Sequence, residues 1–186
     1  AAVALPIPGA LINCGAVAPG LIESAIHFTN DGHLLPLSLV RREAHPIGRQ
    51  LVSPRTAREV ALMLEMAVGP EGTAPRAAVP GYRVAGKTGT AHKPEAGGYA
   101  ENKYVSSFVG FGPVADPRLI VAVMLDEPGG SHYYGGDVSA PVFSSVMGAA
   151  LRMFSVPPDA PQTLNVQAPP RPAAAEARAP AAGSEG

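Results

Sequence analysis

Residues 86–91, Gly-Lys-Thr-Gly-Thr-Ala, carry the densest chemistry in the chain. Lys87 brings a compact ammonium that can hold a carboxylate or a proton relay by charge. Thr88 and Thr90 each bring a hydroxyl that donates and accepts. A backbone N–H near Thr90 can serve as an oxyanion donor. Gly86 and Gly89 weaken a strand interior unless something must approach the backbone closely, and a peptide-like ligand laid along a sheet edge needs that approach. In a regular strand Lys87 and Thr88 point to opposite faces, so only a twisted edge strand brings both to one ligand. The plain alternative is an ordinary strand with an exposed lysine.

Other chemistry fits these and other residues less well. Residues 81–88 match G-x-x-x-x-G-K-[ST] in form. A phosphate cradle of that kind needs a strand before the loop and a helix directly after it. Here Pro80 precedes the pattern, residues 82–85 are strand-like, and Pro94, Gly97 and Gly98 follow, so no helix can start there. Gly110-Phe-Gly112 is a partial dinucleotide fingerprint, but it ends a strand and meets Pro113. No G-x-S-x-G elbow occurs, and Ser106, Ser107, Ser144 and Ser145 have no basic partner in sequence and read as strand and helix residues. The histidines His27, His33, His45, His92 and His132 show no metal-ligand spacing, so neither a metal nor any other cofactor is implied. Asp126 and Glu127 close a strand, where adjacent side chains face opposite ways, which disfavours a paired-carboxylate role. Arg83 and Lys103 read as surface charges.

The elements that must position residues 86–91 are legible from pattern. Residues 20–30 place Leu21, Ile22, Ala25 and Ile26 at helical spacing, with Gly32 as a stop. Residues 37–42 read as a short strand. Ser53 and Pro54 make a helix start, followed by a stripe of Val60, Met63, Leu64 and Ala67. Three strands are expected over residues 82–91, 104–111 and 119–125, the last apolar throughout and so buried on both faces. Residues 112–118, with Pro113 and Pro117, form the hairpin loop between the last two. Val142, Phe143, Val146, Met147, Ala150, Leu151 and Phe154 define an amphipathic helix starting near Ser139. The fold class is α+β: a three-strand antiparallel meander flanked by helices.

Composition sets the outer limits. At 186 residues and 46% hydrophobic content the chain can bury one core, and its net charge of −1 gives no reason for a nucleic-acid or membrane-surface partner. Cys14 is the only cysteine, so no intrachain disulfide forms. Residues 1–22 are apolar but are interrupted by Pro6, Pro8, Asn13 and Pro19, which argues against a membrane span. Residues 11–14 have the wrong residue, Asn13, for a lipoprotein cleavage box. Residues 1–19 form an atypical N-terminal segment, residues 20–156 the ordered domain, and residues 157–186 are expected to be a disordered Ala/Pro-rich tail without chemistry, too poor in large apolar groups to offset its ordering entropy.

The motifs, in order and spacing, resemble the C-terminal part of the transpeptidase domain of class B penicillin-binding proteins, the division-specific (septal) type in particular. The resembling stretches are residues 30–41 (NDGHLLPLSLVR), 84–91 (VAGKTGTA), 98–104 (GYAENKY), 107–113 (SFVGFGP), 126–128 (DEP) and 133–143 (YYGGDVSAPVF). The match runs from about residue 22 to about residue 159. Lys-Thr-Gly is one of three motifs of that family. The resemblance implies a serine D,D-transpeptidase that cross-links peptidoglycan: a serine attacks the D-Ala-D-Ala bond of one stem peptide, D-Ala leaves, and an amine of a second stem takes the acyl group. β-Lactams acylate the same serine. Lys87, Thr88 and Gly89 are carried over as the third motif, and Thr90 as the neighbouring substrate and oxyanion contact. Tyr133, Tyr134 and Gly135 match the loop after the last strand, whose aromatics wall the substrate cleft, and His132 sits beside it. The resemblance further implies a second, mostly helical lobe, divisome partners, and a site on the periplasmic face of the inner membrane.

The other two family motifs are missing. The lysines are Lys87, Lys93 and Lys103, so no Ser is followed three positions later by Lys, and no Ser-x-Asn occurs; no nucleophile is assigned. The expectation is a portion of a transpeptidase that contributes the Lys-Thr-Gly strand and does not acylate alone. The alternatives are a non-catalytic remnant or interaction module, and a fragment of a D-Ala-D-Ala carboxypeptidase or serine β-lactamase. With the family's first strands absent, the strand over residues 119–125 is expected to expose an unpaired edge.

Overall fold

The computed structural model describes residues 2–6, 25, 29–34, 48–95 and 98–160. Its elements in chain order are β1 (Ala2–Pro6), β2 (His33–Leu34), β3 (Arg49–Gln50), α1 (Pro54–Met66), a 3-10 turn (Pro75–Ala77), β4 (Ala85–Glu95), β5 (Gly98–Gly112), β6 (Leu119–Asp126) and α2 (Gly135–Met153). β4, β5 and β6 make the expected antiparallel meander inside a four-stranded sheet of order β1-β6-β5-β4. A small hairpin, β2 with β3, stands apart.

One expectation is overturned here. The apolar strand β6 does not end in an open edge: β1 pairs with it antiparallel, Ala2 opposite Val123 through Pro6 opposite Leu119. The segment over residues 1–19 has no clear period, and its strand-forming part shows itself only against a partner edge, because β preference is largely a matter of what the strand packs against.

Local chemistry accounts for the rest. Asp31 and Gly32 have φ of 51° and 85°, and a side chain on Gly32 would run into the Val52 carbonyl. This is the stop expected there; of the helix expected over residues 20–30, Ala25 and Thr29 are described and are helical, and the remainder lies outside the described residues, as does the strand expected over 37–42. Ser53 caps α1, its Oγ accepting from the Thr56 N–H at 3.1 Å with Pro54 in the first turn. The face α1 buries is Ala57 and Ala61, whereas Met63 is exposed. Small residues let the helix backbone approach closely; of the expected stripe, Val60, Leu64 and Ala67 are half-buried and Met63 turns out to solvent.

The core lies between the sheet and α2. Phe143, Met147 and Leu151 of α2 are fully buried against Phe108 of β5 and Leu119, Val121 and Val123 of β6. The Phe108 and Phe143 rings meet at 4.6 Å and 59°. Ile120 and Ala122, on the other face of β6, are buried as well, as the uninterrupted apolar run requires. Helix α2 starts at Gly135, earlier than the Ser139 start read from sequence. Pro141 lies inside the helix, where proline removes a backbone donor. In the fold the carbonyl that Pro141 cannot serve, that of Asp137, accepts from Arg76 Nη1 at 2.7 Å. The ordered chain runs past the boundary expected at residue 156: Val156 returns to the core, and residues 157–160 are held by polar bonds that apolar content does not reveal, Asp159 accepting from the Arg83 and Ala115 N–H groups.

Candidate active site

β4 is the outer strand of the sheet, bonded to β5 on one side only among the described residues. Its register places Lys87 opposite Val109, Thr88 opposite Phe108, Gly89 opposite Ser107 and Thr90 opposite Ser106. Phe108 packs on α2, so Thr88, Thr90 and His92 share the α2 face while Lys87 starts from the other. Lys87 nonetheless reaches its neighbour. Its Nζ passes over the open edge and donates to the Thr88 carbonyl at 2.9 Å and to Thr88 Oγ1 at 3.3 Å. Ammonium and hydroxyl therefore meet at the strand's margin despite the alternation. The Thr88 carbonyl, taken by Lys87 and not by β5, faces outward. In an antiparallel ladder alternate residues turn both backbone groups the same way, so the N–H and C=O of Thr90 face outward too. These groups can pair with one further extended peptide.

Gly86 is explained by the protein's own packing. A Cβ on Gly86 would lie 2.5 Å from the Phe108 ring and 2.7 Å from the Val109 carbonyl. The close approach that glycine permits at this position is thus that of Phe108, where the sequence suggested a ligand.

The loop that enters α2 is clamped to the same ribbon by one cross-strand pair. Ser106 Oγ donates to the Tyr133 carbonyl, and Thr90 Oγ1 accepts from the Gly135 N–H at 3.1 Å. The Thr90 hydroxyl keeps its proton for donation elsewhere. Four rings then stand in a row. His92 and Tyr104 meet at 4.6 Å, Tyr104 and Tyr133 stack at 4.0 Å and 9°, and Tyr133 and Tyr134 meet at 4.5 Å. The two last phenols share a hydrogen bond at 3.3 Å. That bond, and after it the charge of Tyr133, burial and the nearby Asp137 carboxylate, hold the Tyr134 hydroxyl above the ordinary phenol range. Tyr134 is exposed, and the next residue, Gly135, is the one bonded to Thr90. His132 lies outside the row, 4.0 Å from Asp137.

Sequence reasoning missed Ser106 and Tyr104. Ser106 was read as a plain strand residue; its fully buried hydroxyl is what ties the tyrosine loop down. It also missed the role of the acidic pair. Lys93 Nζ bridges Asp126 Oδ2 at 2.9 Å and Glu127 Oε1 at 2.7 Å, binding the far end of the ribbon to the start of the tyrosine loop. The rule that adjacent carboxylates diverge does not apply, because Glu127 leaves the strand with φ of 48°. Arg83 is likewise more than a surface charge: its guanidinium makes a two-pronged bond to Glu65 at 2.7 and 2.6 Å, which raises its already high pKa further.

Gly135 closes the site by contact. A Cβ there would lie 2.3 Å from the Ser107 carbonyl oxygen and 2.7 Å from that of Gly89, both backbone atoms that cannot step aside. Gly135→Ala is expected to destabilise the protein by about 1–3 kcal/mol through overpacking. It should also weaken the near-ultraviolet dichroism of the stacked tyrosines, which is readable because the chain has no tryptophan. An unchanged melting temperature and unchanged dichroism would refute the contact.

The architecture is an antiparallel sheet covered by a helix, with Lys-Thr-Gly on its outer strand and the tyrosine loop tied to that strand at Thr90. Residues 21–148 match the family model described as the penicillin binding protein transpeptidase domain, and the chain belongs to that family. It is 50% identical over 133 residues to the probable peptidoglycan D,D-transpeptidase PbpC of Pseudomonas aeruginosa, covering 71% of this chain and 23% of that protein. It is 44% identical over 135 residues to the probable peptidoglycan D,D-transpeptidase PenA of Neisseria gonorrhoeae, covering 73% of this chain and 23% of that one. Among solved structures it is similar to the transpeptidase domain of Burkholderia pseudomallei penicillin-binding protein 3, with TM-score 0.66 and 49% identity over 73% of this chain and 41% of that one. The chain thus spans about a quarter of the length of these curated relatives.

Proposed function

We propose that this chain is the C-terminal portion of a peptidoglycan D,D-transpeptidase of the septal type, supplying the strand that binds the stem peptide. The observation that carries this reading is the outward-facing backbone of Thr88 and Thr90 on an open strand edge, with the Lys87 ammonium at that edge and the tyrosine loop tied to Thr90 through Gly135. A D-Ala-D-Ala stem peptide pairs along this edge. Lys87 and the Thr88 hydroxyl hold its terminal carboxylate or the proton relay, Gly89 lets the chain pass, and the Thr90 N–H is one oxyanion donor. Tyr133, Tyr134 and Gly135 wall the ligand. A serine outside these 186 residues attacks the penultimate D-Ala carbonyl; the C–N bond breaks, D-Ala departs with a proton, and the acyl group passes to the amine of a second stem. A β-lactam enters the same site and stays on the serine. The reading places the protein in cell-wall synthesis at division, on the periplasmic face of the inner membrane, with divisome proteins as partners and no nucleic acid. Among the described residues no helix is long and apolar enough to cross a membrane.

The test is labelling with a fluorescent penicillin. The polypeptide expressed with its native upstream coding sequence is expected to give a labelled band after denaturing electrophoresis, and the 186-residue chain none. A labelled band on the short chain, or an upstream frame without Ser-x-x-Lys followed by Ser-x-Asn, would overturn the proposal.

A further inference from the structure

The lead-in to β4 is held by the segment that follows the last helix. Val156 packs in the core, and its carbonyl accepts from the Tyr82 hydroxyl at 2.8 Å. Asp159 Oδ1 accepts from the Arg83 N–H at 2.7 Å and its Oδ2 from the Ala115 N–H at 3.3 Å, so one carboxylate joins the entry of β4 to the β5–β6 hairpin loop. The Ala160 N–H donates to the Gly81 carbonyl at 3.2 Å, and the Val114 N–H to the Arg83 carbonyl at 2.9 Å. With its guanidinium on Glu65, Arg83 has its donor, its acceptor and its side chain assigned to three separate segments.

This concentration of bonds sits just upstream of Lys87, where the ribbon is least able to set its own register. Gly86 faces Gly110 across the ladder, and Gly89 faces Ser107. Glycines offer no side chain to key one strand against the next, and glycine-rich strands slip more readily. Slippage by one residue would exchange the faces of Lys87 and Thr88 and lose the outward Thr90 N–H. An edge strand has no second neighbour to prevent this.

We propose that Asp159 is a positioning residue for the Lys-Thr-Gly strand: its carboxylate sets where β4 enters the sheet, which makes the segment after α2 part of the scaffold of the acyl-transfer site. The proposal rests on the transpeptidase reading for its effect on catalysis, but not for its effect on the strand. Asp159 is half-buried and its recorded bonds are to backbone N–H groups of other segments, the arrangement expected of a clip.

The experiment compares Asp159→Ala and Asp159→Asn in the polypeptide with its native upstream sequence. Penicillin acylation is resolved into a non-covalent affinity and an acylation rate constant, and amide hydrogen exchange is followed over residues 81–91. Asp159→Ala is expected to slow acylation about tenfold, since misplacing a reacting group by a fraction of an ångström has effects of that order. Affinity should change much less, and exchange over residues 86–91 should quicken. Asp159→Asn retains an oxygen for the Arg83 N–H and should recover part of both. Wild-type acylation and wild-type exchange in Asp159→Ala would overturn the proposal. If that variant does not fold, Asp159→Asn decides, and wild-type values for it would overturn the proposal equally. A parent protein that takes no label defeats the transpeptidase reading, while the exchange measurement, which needs no nucleophile, still judges the clip.

Discussion

Lys87→Ala is expected to reduce penicillin acylation of the polypeptide carrying its native upstream sequence by about 10²–10³-fold, with little change in stability. The size follows from what the ammonium does at the strand edge. It sits 2.9 Å from the Thr88 carbonyl and 3.3 Å from the Thr88 hydroxyl, at the margin where the proposed function has it hold a ligand's carboxylate or a shuttled proton. Removing a fixed charge or proton-transfer partner from such a site has effects of that magnitude. No other lysine substitutes for it among the described residues: Lys93 is engaged by Asp126 and Glu127, and Lys103 lies on the neighbouring strand. Because Lys87 is exposed, its loss should change folding free energy by no more than about 0.5 kcal/mol. Lys87→Arg keeps the charge but replaces a compact ammonium with a planar fork, and should fall between alanine and the parent. Time courses with a fluorescent penicillin measure all three. An alanine variant that acylates at the parental rate would remove Lys87 from the site.

The largest structural effect is expected at Phe143. Its ring is fully buried, tilted against Phe108 at 4.6 Å, and central to the contact between α2 and the sheet. Phe143→Ala deletes that ring and leaves a cavity, for about 3–5 kcal/mol, against a total stability of about 5–15 kcal/mol for an ordinary domain. The loss also reaches the site. Helix α2 carries the Gly135 N–H to Thr90 and the Tyr133 carbonyl to Ser106, so loosening α2 loosens the tyrosine row. Urea denaturation should show the lowered midpoint, and near-ultraviolet dichroism the weakened tyrosine stacking. A loss below about 1 kcal/mol would mean that the site collapses around the deleted ring and that the core is not organised by this contact.

Much of this was written locally. The β-branched and apolar runs marked β4, β5 and β6; Ser53 and Pro54 marked α1; and the spacing of Phe143, Met147 and Leu151 marked the buried face of α2. The motif residues were recognisable from type and order alone. What misled was also local. The apolar stripe placed the start of α2 near Ser139, whereas the helix begins at Gly135; Arg76, which serves the Asp137 carbonyl left free by Pro141, lies 61 positions from Asp137. Gly86 suggested a ligand because the Phe108 ring that requires it is on another strand.

The amino-acid order by itself marked the middles of β4, β5 and β6 and the bodies of α1 and α2, and that a lysine, two hydroxyls and two glycines share one strand, since propensity and period act between near neighbours; it did not mark β1 or the arms of β4 and β5 over residues 92–103. Only the tertiary structure decided that this strand is an edge, that Lys87 crosses it to Thr88, and that β1 covers β6. It alone brought Ser106 to Tyr133 across 27 positions, Thr90 to Gly135 across 45 and Arg83 to Asp159 across 76. Those partners are chosen by sheet register and by the docking of α2. Each depends on how the whole core packs, and no periodicity within a single segment encodes it.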